Sequence, residues 1–85
     1  MTTATTMQIS VHFYAQLREQ AGTESATVST SVSTVGALYE ELKATHGFTL
    51  NASSMQAAVN DAFCAWDQPI RDGDAVTFVP PVAGG

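Results

Sequence analysis

Positive charge is scarce in this chain: three lysines and arginines stand against eight aspartates and glutamates, for a net charge of −5. A surface of that sign repels phosphate backbones and anionic headgroups, and no basic cluster offsets it. Both nucleic acid and acidic membranes are thereby disfavoured as direct partners. A basic groove on another protein is its natural complement. Cysteine is nearly missing as well. Cys64 stands alone, so no internal disulfide forms, which points to a reducing, cytoplasmic setting. One thiol cannot ligate a four-thiolate iron–sulfur cluster, and with His12 and His46 it gives no metal-ligand spacing. On a strand between Phe63 and Trp66, Cys64 reads as a small buried hydrophobe rather than a persulfide carrier. No apolar run approaches the ~20 residues of a membrane span. The opening Met-Thr-Thr-Ala-Thr-Thr has neither a charged nor an apolar region of the secretory kind, so residues 1–6 read as a disordered leader. No glycine-rich phosphate loop precedes a helix, and Asp72-Gly73-Asp74 is a turn rather than a calcium loop. With Glu40-Glu41 on a solvated helix face, no residue set in the chain runs catalysis unaided.

What is there is one small domain with a regular alternation of elements. Eighty-five residues bury roughly 60–65% of their unfolded surface and hold about 5–8 kcal/mol of stability. Over 8–14 the pattern has period 2, with Ile9, Val11 and Phe13 on one face of a first strand. A two-turn helix over 15–21 follows, with Leu17 and Ala21 inward, Arg18 and Glu19 on the wet side, and Gly22 as its stop. Residues 25–32, rich in threonine, serine and valine, form a second strand with Ala26, Val28 and Thr30 inward. The principal helix runs over 35–46, capped by Ser33 or Thr34 and ended by Gly47. Its apolar stripe is Val35, Leu38, Leu42 and Thr45, and Tyr39, Glu40, Glu41 and Lys43 fall on or near the solvent flank. Phe48 and Leu50 dock on the core ahead of a loop at Asn51, Ser53 and Ser54. Strands over 56–59 and 62–66 are joined by an Asn60-Asp61 turn. Ile70 is pinned inward between two turns, and a last strand over 75–79 faces Val76 and Phe78 to the core.

Strands at both ends around one substantial helix predict an α+β sheet with the helix across one face. If the first and last strands are adjacent in the middle of that sheet, the arrangement is the β-grasp, over residues 7–79. The chain then closes on 80–85, Pro80-Pro81-Val82-Ala83-Gly84-Gly85. Adjacent prolines fix φ near ~−65° and donate nothing to a ladder, so the last strand stops at Val79 and a stiff extended arm follows. Gly84 and Gly85 have no Cβ, and such an end threads a channel too narrow for any side chain. A glycine-rich terminus by itself more often has no function.

The stretches Phe13-Tyr14-Ala15-Gln16-Leu17-Arg18-Glu19-Gln20-Ala21-Gly22, Thr34-Val35-Gly36-Ala37-Leu38, Ala57-Ala58-Val59-Asn60 and Ile70 to Gly85 carry a resemblance. Together they are similar to the small subunit of molybdopterin synthase, the ubiquitin-like sulfur carriers of the MoaD family. The specific part is an acidic-Gly turn, a strand, Pro-Pro and Gly-Gly in that order over 72–85. The leader, Cys64, Trp66 and His12 have no counterpart role in it. The resemblance implies that an E1-like partner adenylates the Gly85 carboxylate with ATP and that a persulfide donor then converts it to a thiocarboxylate. The large synthase subunit, in a heterotetramer with this chain, receives the tail. Sulfur passes there to cyclic pyranopterin monophosphate in molybdenum cofactor biosynthesis. Pro80, Pro81 and Gly84 would thread the tail. The chain itself would bind no cofactor and place one atom, the positioning part of catalysis.

A carrier that visits two partners needs a docking face. Tyr14 is out of phase with Ile9, Val11 and Phe13, Val79 with Val76 and Phe78, and Phe63 with its neighbours. These three apolar side chains point away from the core and form a candidate patch. The bland alternative is that each is covered by a neighbouring loop. Two other functional classes stay open at this stage: a sulfur carrier for thiamine or tRNA thiolation or a ubiquitin-like modifier joined through Gly85, and a binding module whose tail does no chemistry.

Overall fold

The computed structural model describes residues 6–80. Residues 1–5 of the 1–6 leader and the tail positions Pro81, Gly84 and Gly85 lie outside the described residues. Alternation of apolar and polar side chains makes β1 (Met7–Phe13) and β5 (Ala75–Val79), each burying every second residue. Between them come α1 (Ala15–Ala21), β2 (Ser25–Thr30), α2 (Val35–His46), a short 3₁₀ turn (Ala52–Ser54), β3 (Gln56–Val59) and β4 (Ala62–Cys64). The sheet order is β2-β1-β5-β3-β4. First and last strands lie parallel in the centre, Phe13 beside Phe78, while β2, β3 and β4 add antiparallel pairs. The neighbouring first and last strands meet the condition on which the sequence reading made this a β-grasp.

Three boundaries fall short of the sequence reading, each for a local reason. β1 ends at Phe13 because Tyr14, with extended backbone, is the N-cap of α1. β2 ends at Thr30, whose hydroxyl accepts from the Val32 amide and bends the chain toward α2. β4 ends at Cys64, since the Trp66 carbonyl turns to accept from the Gly36 amide at 2.8 Å. The glycine leaves room for that close approach. A Cβ at Gly36 would stand 3.0 Å from that carbonyl oxygen.

The stripe of α2 also differs from the prediction. Tyr39 is not on the solvent flank but fully buried, with Val35, Leu38 and Leu42. Thr45 is exposed and turns its hydroxyl back to the Glu41 carbonyl. A core-facing helix presents a stripe wider than one row, and Val35 to Tyr39 is an i, i+4 step on that stripe. The ring of Tyr39 stacks on Phe48 and tilts against Phe78 and Trp66, and its hydroxyl donates to the Leu50 carbonyl at 2.6 Å. Burial, with Glu40 nearby as the smaller cause, pushes the phenol above its ordinary value. Thr34 caps the helix through the Ala37 amide, and Gly22 and Gly47 take the left-handed conformation that ends α1 and α2.

Candidate docking face and carrier strand

β5 is the element on which the site depends. It is hydrogen-bonded on both sides, and Val76 and Phe78 are wholly buried. Its start is tied down by the acidic turn. The Gln8 amide donates to Asp72 at 2.7 Å, the Arg71 amide to Asp74 at 2.8 Å, and the Asn60 side chain bridges Asp74 and the Ala75 amide. Gly73, at φ 89°, makes the turn possible and donates to the Gln8 carbonyl. The Asp-Gly-Asp motif therefore anchors β5 to β1 and β3. Asn60 and Asp61, both at positive φ, close the β3–β4 hairpin with the two-residue turn expected. At its other end β5 pairs Val79 with Gln56 and runs into a buried Pro80.

The helices cover one face of the sheet and leave the other open. Val79 and Tyr14 lie side by side there, each one residue of extended backbone beyond the last parallel pair, Phe13 and Phe78. Tyr14 is 54% exposed, Phe63 70%, and Val79 is half-buried. A transverse row runs His12, Thr77, Ala58 and Phe63 across four strands. Adjacent strands are about 4.8 Å apart, so Phe63 lies roughly 14 Å across the sheet from β1. Tyr14, Val79 and Phe63 share one face and one end of it but do not form a tight cluster. Thr77 and Ala58 fill the space between them. Sequence reasoning missed these two, although their phase on β5 and β3 marks them as outward.

Cys64 points to the opposite, helix-covered side, in register with Ala57 and Phe78. Its thiol donates to the Ala57 carbonyl at 3.7 Å, and burial pushes its pKa up, outweighing a backbone hydrogen bond that lowers it. A thiol held protonated in this way is a poor nucleophile. Among the described residues no three His, Cys, Asp or Glu side chains come together as a metal would require, and no helix is long and apolar enough to cross a membrane.

The comparisons with known proteins follow this geometry. A profile of the ThiS family matches residues 11–85. The molybdopterin synthase sulfur carrier subunit of Escherichia coli K12 is 40% identical over 80 residues, covering 91% of this chain and 99% of the relative. The protein of the same name from Haemophilus influenzae is 30% identical over 81 residues, with the same coverage of both chains. Among solved structures, a molybdopterin converting factor subunit 1 from Pyrococcus furiosus superposes with a TM-score of 0.74 at 27% identity, over 89% of this chain and 99% of that one. The tied-down central strand, the open face beside its exit and these likenesses agree, and the chain belongs to the ThiS family of ubiquitin-like β-grasp proteins, among the molybdopterin synthase sulfur carrier subunits.

Proposed function

We propose that this chain is the sulfur carrier subunit of a molybdopterin synthase and works through the carboxyl group of Gly85. A carboxylate is a poor electrophile. An E1-like partner therefore adenylates Gly85 with ATP, releasing pyrophosphate; the terminal sulfur of a persulfide donor displaces AMP to give an acyl disulfide, and a thiol cleaves that S–S bond, forming a disulfide with the donor and leaving the thiocarboxylate. That group is a soft nucleophile at neutral pH. Carried into the large synthase subunit, it donates sulfur to cyclic pyranopterin monophosphate, and the spent carboxylate returns for recharging. Pro80, Pro81 and Gly84 thread the tail, Gly85 carries the sulfur, and no cofactor stays on the carrier. Tyr14, Phe63 and Val79 dock the large subunit in a heterotetramer.

The single observation that carries this reading is the 40% identity to the Escherichia coli carrier subunit along virtually its whole length. The geometry supports it through the rigid seat of β5 and the exposed aromatic side chains beside its exit. A carrier needs a fixed base so that one atom arrives in one place, because positioning is its whole contribution to rate. Intact mass spectrometry tests the chemistry: with E1-like partner, ATP and sulfur donor, one oxygen at Gly85 is replaced by sulfur. No mass change would reject the carrier reading. Addition of the large subunit and the pterin precursor then returns the mass to that of the carboxylate, whereas a modifier would instead appear joined to target lysines.

A further inference from the structure

The two edges of the sheet are finished differently. β4 has three residues and stops where the Trp66 carbonyl turns to the Gly36 amide. β2 has six and pairs with β1 without interruption, from His12 with Ser25 to Met7 with Thr30, so no bulge bends it away. No Asp, Glu, Lys or Arg lies within any of the five strands, and β2 contains no proline. Shortness, charge, proline and bulges are the usual means of keeping an edge from pairing with another chain. β2 has none of them.

Backbone parity decides which groups that edge offers. The Phe13 amide donates to the Glu24 carbonyl at 2.9 Å. Hydrogen-bonded pairs alternate along an antiparallel ladder, so Ala26, Val28 and Thr30 turn their N–H and C=O to β1, while Ser25, Thr27 and Ser29 turn theirs outward. Those of Ser25 are already taken: the Thr23 hydroxyl donates to its carbonyl at 2.9 Å and accepts from its amide at 3.4 Å. Among the described residues nothing takes the outward backbone groups of Thr27 or Ser29. Their side chains are exposed. Val28, between them, lies on the helix-covered side opposite the wholly buried Ile9, yet is itself only half-buried because no strand flanks it.

The strand that matches this edge is β2 itself. An antiparallel copy with its two-fold axis at Val28 sets Thr27 of each chain against Ser29 of the other, each pair exchanging two backbone hydrogen bonds. The two Val28 side chains then meet as the close, non-hydrogen-bonded pair. Charge selects the same occupant. Chains of net charge −5 repel one another elsewhere, but this strip is neutral, and in that register Glu24 falls opposite Val32 rather than opposite an acid. A basic strand would find no countercharge within β2. We propose that two copies of this chain pair through β2 into one continuous sheet with Val28 on the axis. The pairing does not depend on the carrier reading. β2 and β4, which bears Phe63, are opposite edges of the sheet, so Tyr14, Phe63 and Val79 stay uncovered in the paired form. So short a seam buries less than the ~1,000 Å² of a stable complex, and the pair forms at high concentration and separates on dilution.

Amide exchange of the full chain by NMR, over a dilution series matched by sedimentation velocity, tests this. The Thr27 and Ser29 amides should exchange freely in dilute solution and slow about threefold or more at ~1 mM, as sedimentation moves toward the mass of two chains. The Val28 amide, inside the ladder with β1, should be slow throughout, and the Ser25 amide should not respond to concentration. Thr27→Pro removes one outward donor and no ladder bond. It should keep the wild-type circular dichroism and stay monomeric at the concentration where the wild type pairs. A wild type that is still monomeric there overturns the proposal. So do Thr27 and Ser29 amides already slow in dilute solution, which would mean that another part of the chain covers the edge. Pairing that survives in a folded Thr27→Pro overturns it as well, because the contact then lies elsewhere. If that variant does not fold, the wild-type series decides alone.

Discussion

The same strands present two faces that differ in almost every physical respect. Under α2, Ile9, Val11, Phe13, Ala57, Val76 and Phe78 are sealed against Leu38, Tyr39 and Phe48, and an aromatic network links Phe13, Phe48, Tyr39, Phe78 and Trp66 at centroid distances of 5.2 to 6.0 Å. One residue further along each strand, His12, Thr77 and Phe63 meet solvent. Stability in a small domain comes from the first face, where a removed side chain leaves a void that its neighbours fill only in part. The second face is under no such constraint. Its composition is free to answer to a partner, and an exposed aromatic such as Phe63 has little other reason to be there.

That contrast breaks most readily from the covered side. Phe78→Ala should remove about 3–5 kcal/mol from the unfolding free energy in urea, a large share of what a domain of this length holds. A loss below about 1 kcal/mol would mean that the core does not depend on the carrier strand. Gly36→Val should cost about 1–3 kcal/mol, since its Cβ would meet the Trp66 carbonyl and push the α2 start away from the β4 exit. Tyr39→Phe removes only the bond to the Leu50 carbonyl, for about 1 kcal/mol in the same denaturation experiment. Its absence also shows in the pH dependence. The folded phenol is raised above its unfolded value, so the unfolded chain ionises first, and stability held below the unfolded value is lost as pH rises toward the folded one. Wild type should weaken in strongly alkaline solution more steeply than Tyr39→Phe. On the open side, Phe63→Ser should change stability by no more than about 0.5 kcal/mol. A larger loss would show that Phe63 supports the fold rather than a contact.

Much of this was legible from residue order. The period-2 runs located β1 and β5, Gly22 and Gly47 marked both helix ends, and the mismatched phase of Tyr14 and Phe63 marked them as outward. Tyr39 was misread because an amphipathic residue fits either flank of a helix until the width of the buried stripe is known. That width depends on Phe48, Trp66 and Phe78 closing over the ring, contacts between residues distant in the chain. The Cys64 environment was legible in kind but not in detail, since its phase follows from pairing with Ala57 rather than from its own neighbours.

Local chemistry in the sequence determined which segments are strands and helices, where both helices stop, which strand side chains face the core, and the absence of charge from every strand, because backbone sterics and side-chain alternation act over a few residues. Only the tertiary structure decided the rest. The parallel pairing of β1 with β5 sets Tyr14 beside Val79, and β3 carries Phe63 onto the same face through β4. His12 stands in that row, and the Asp72–Asp74 turn is the clasp that holds the carrier strand. Those juxtapositions come from sheet order and register, which join residues up to 65 positions apart and leave no trace in any short stretch of chain.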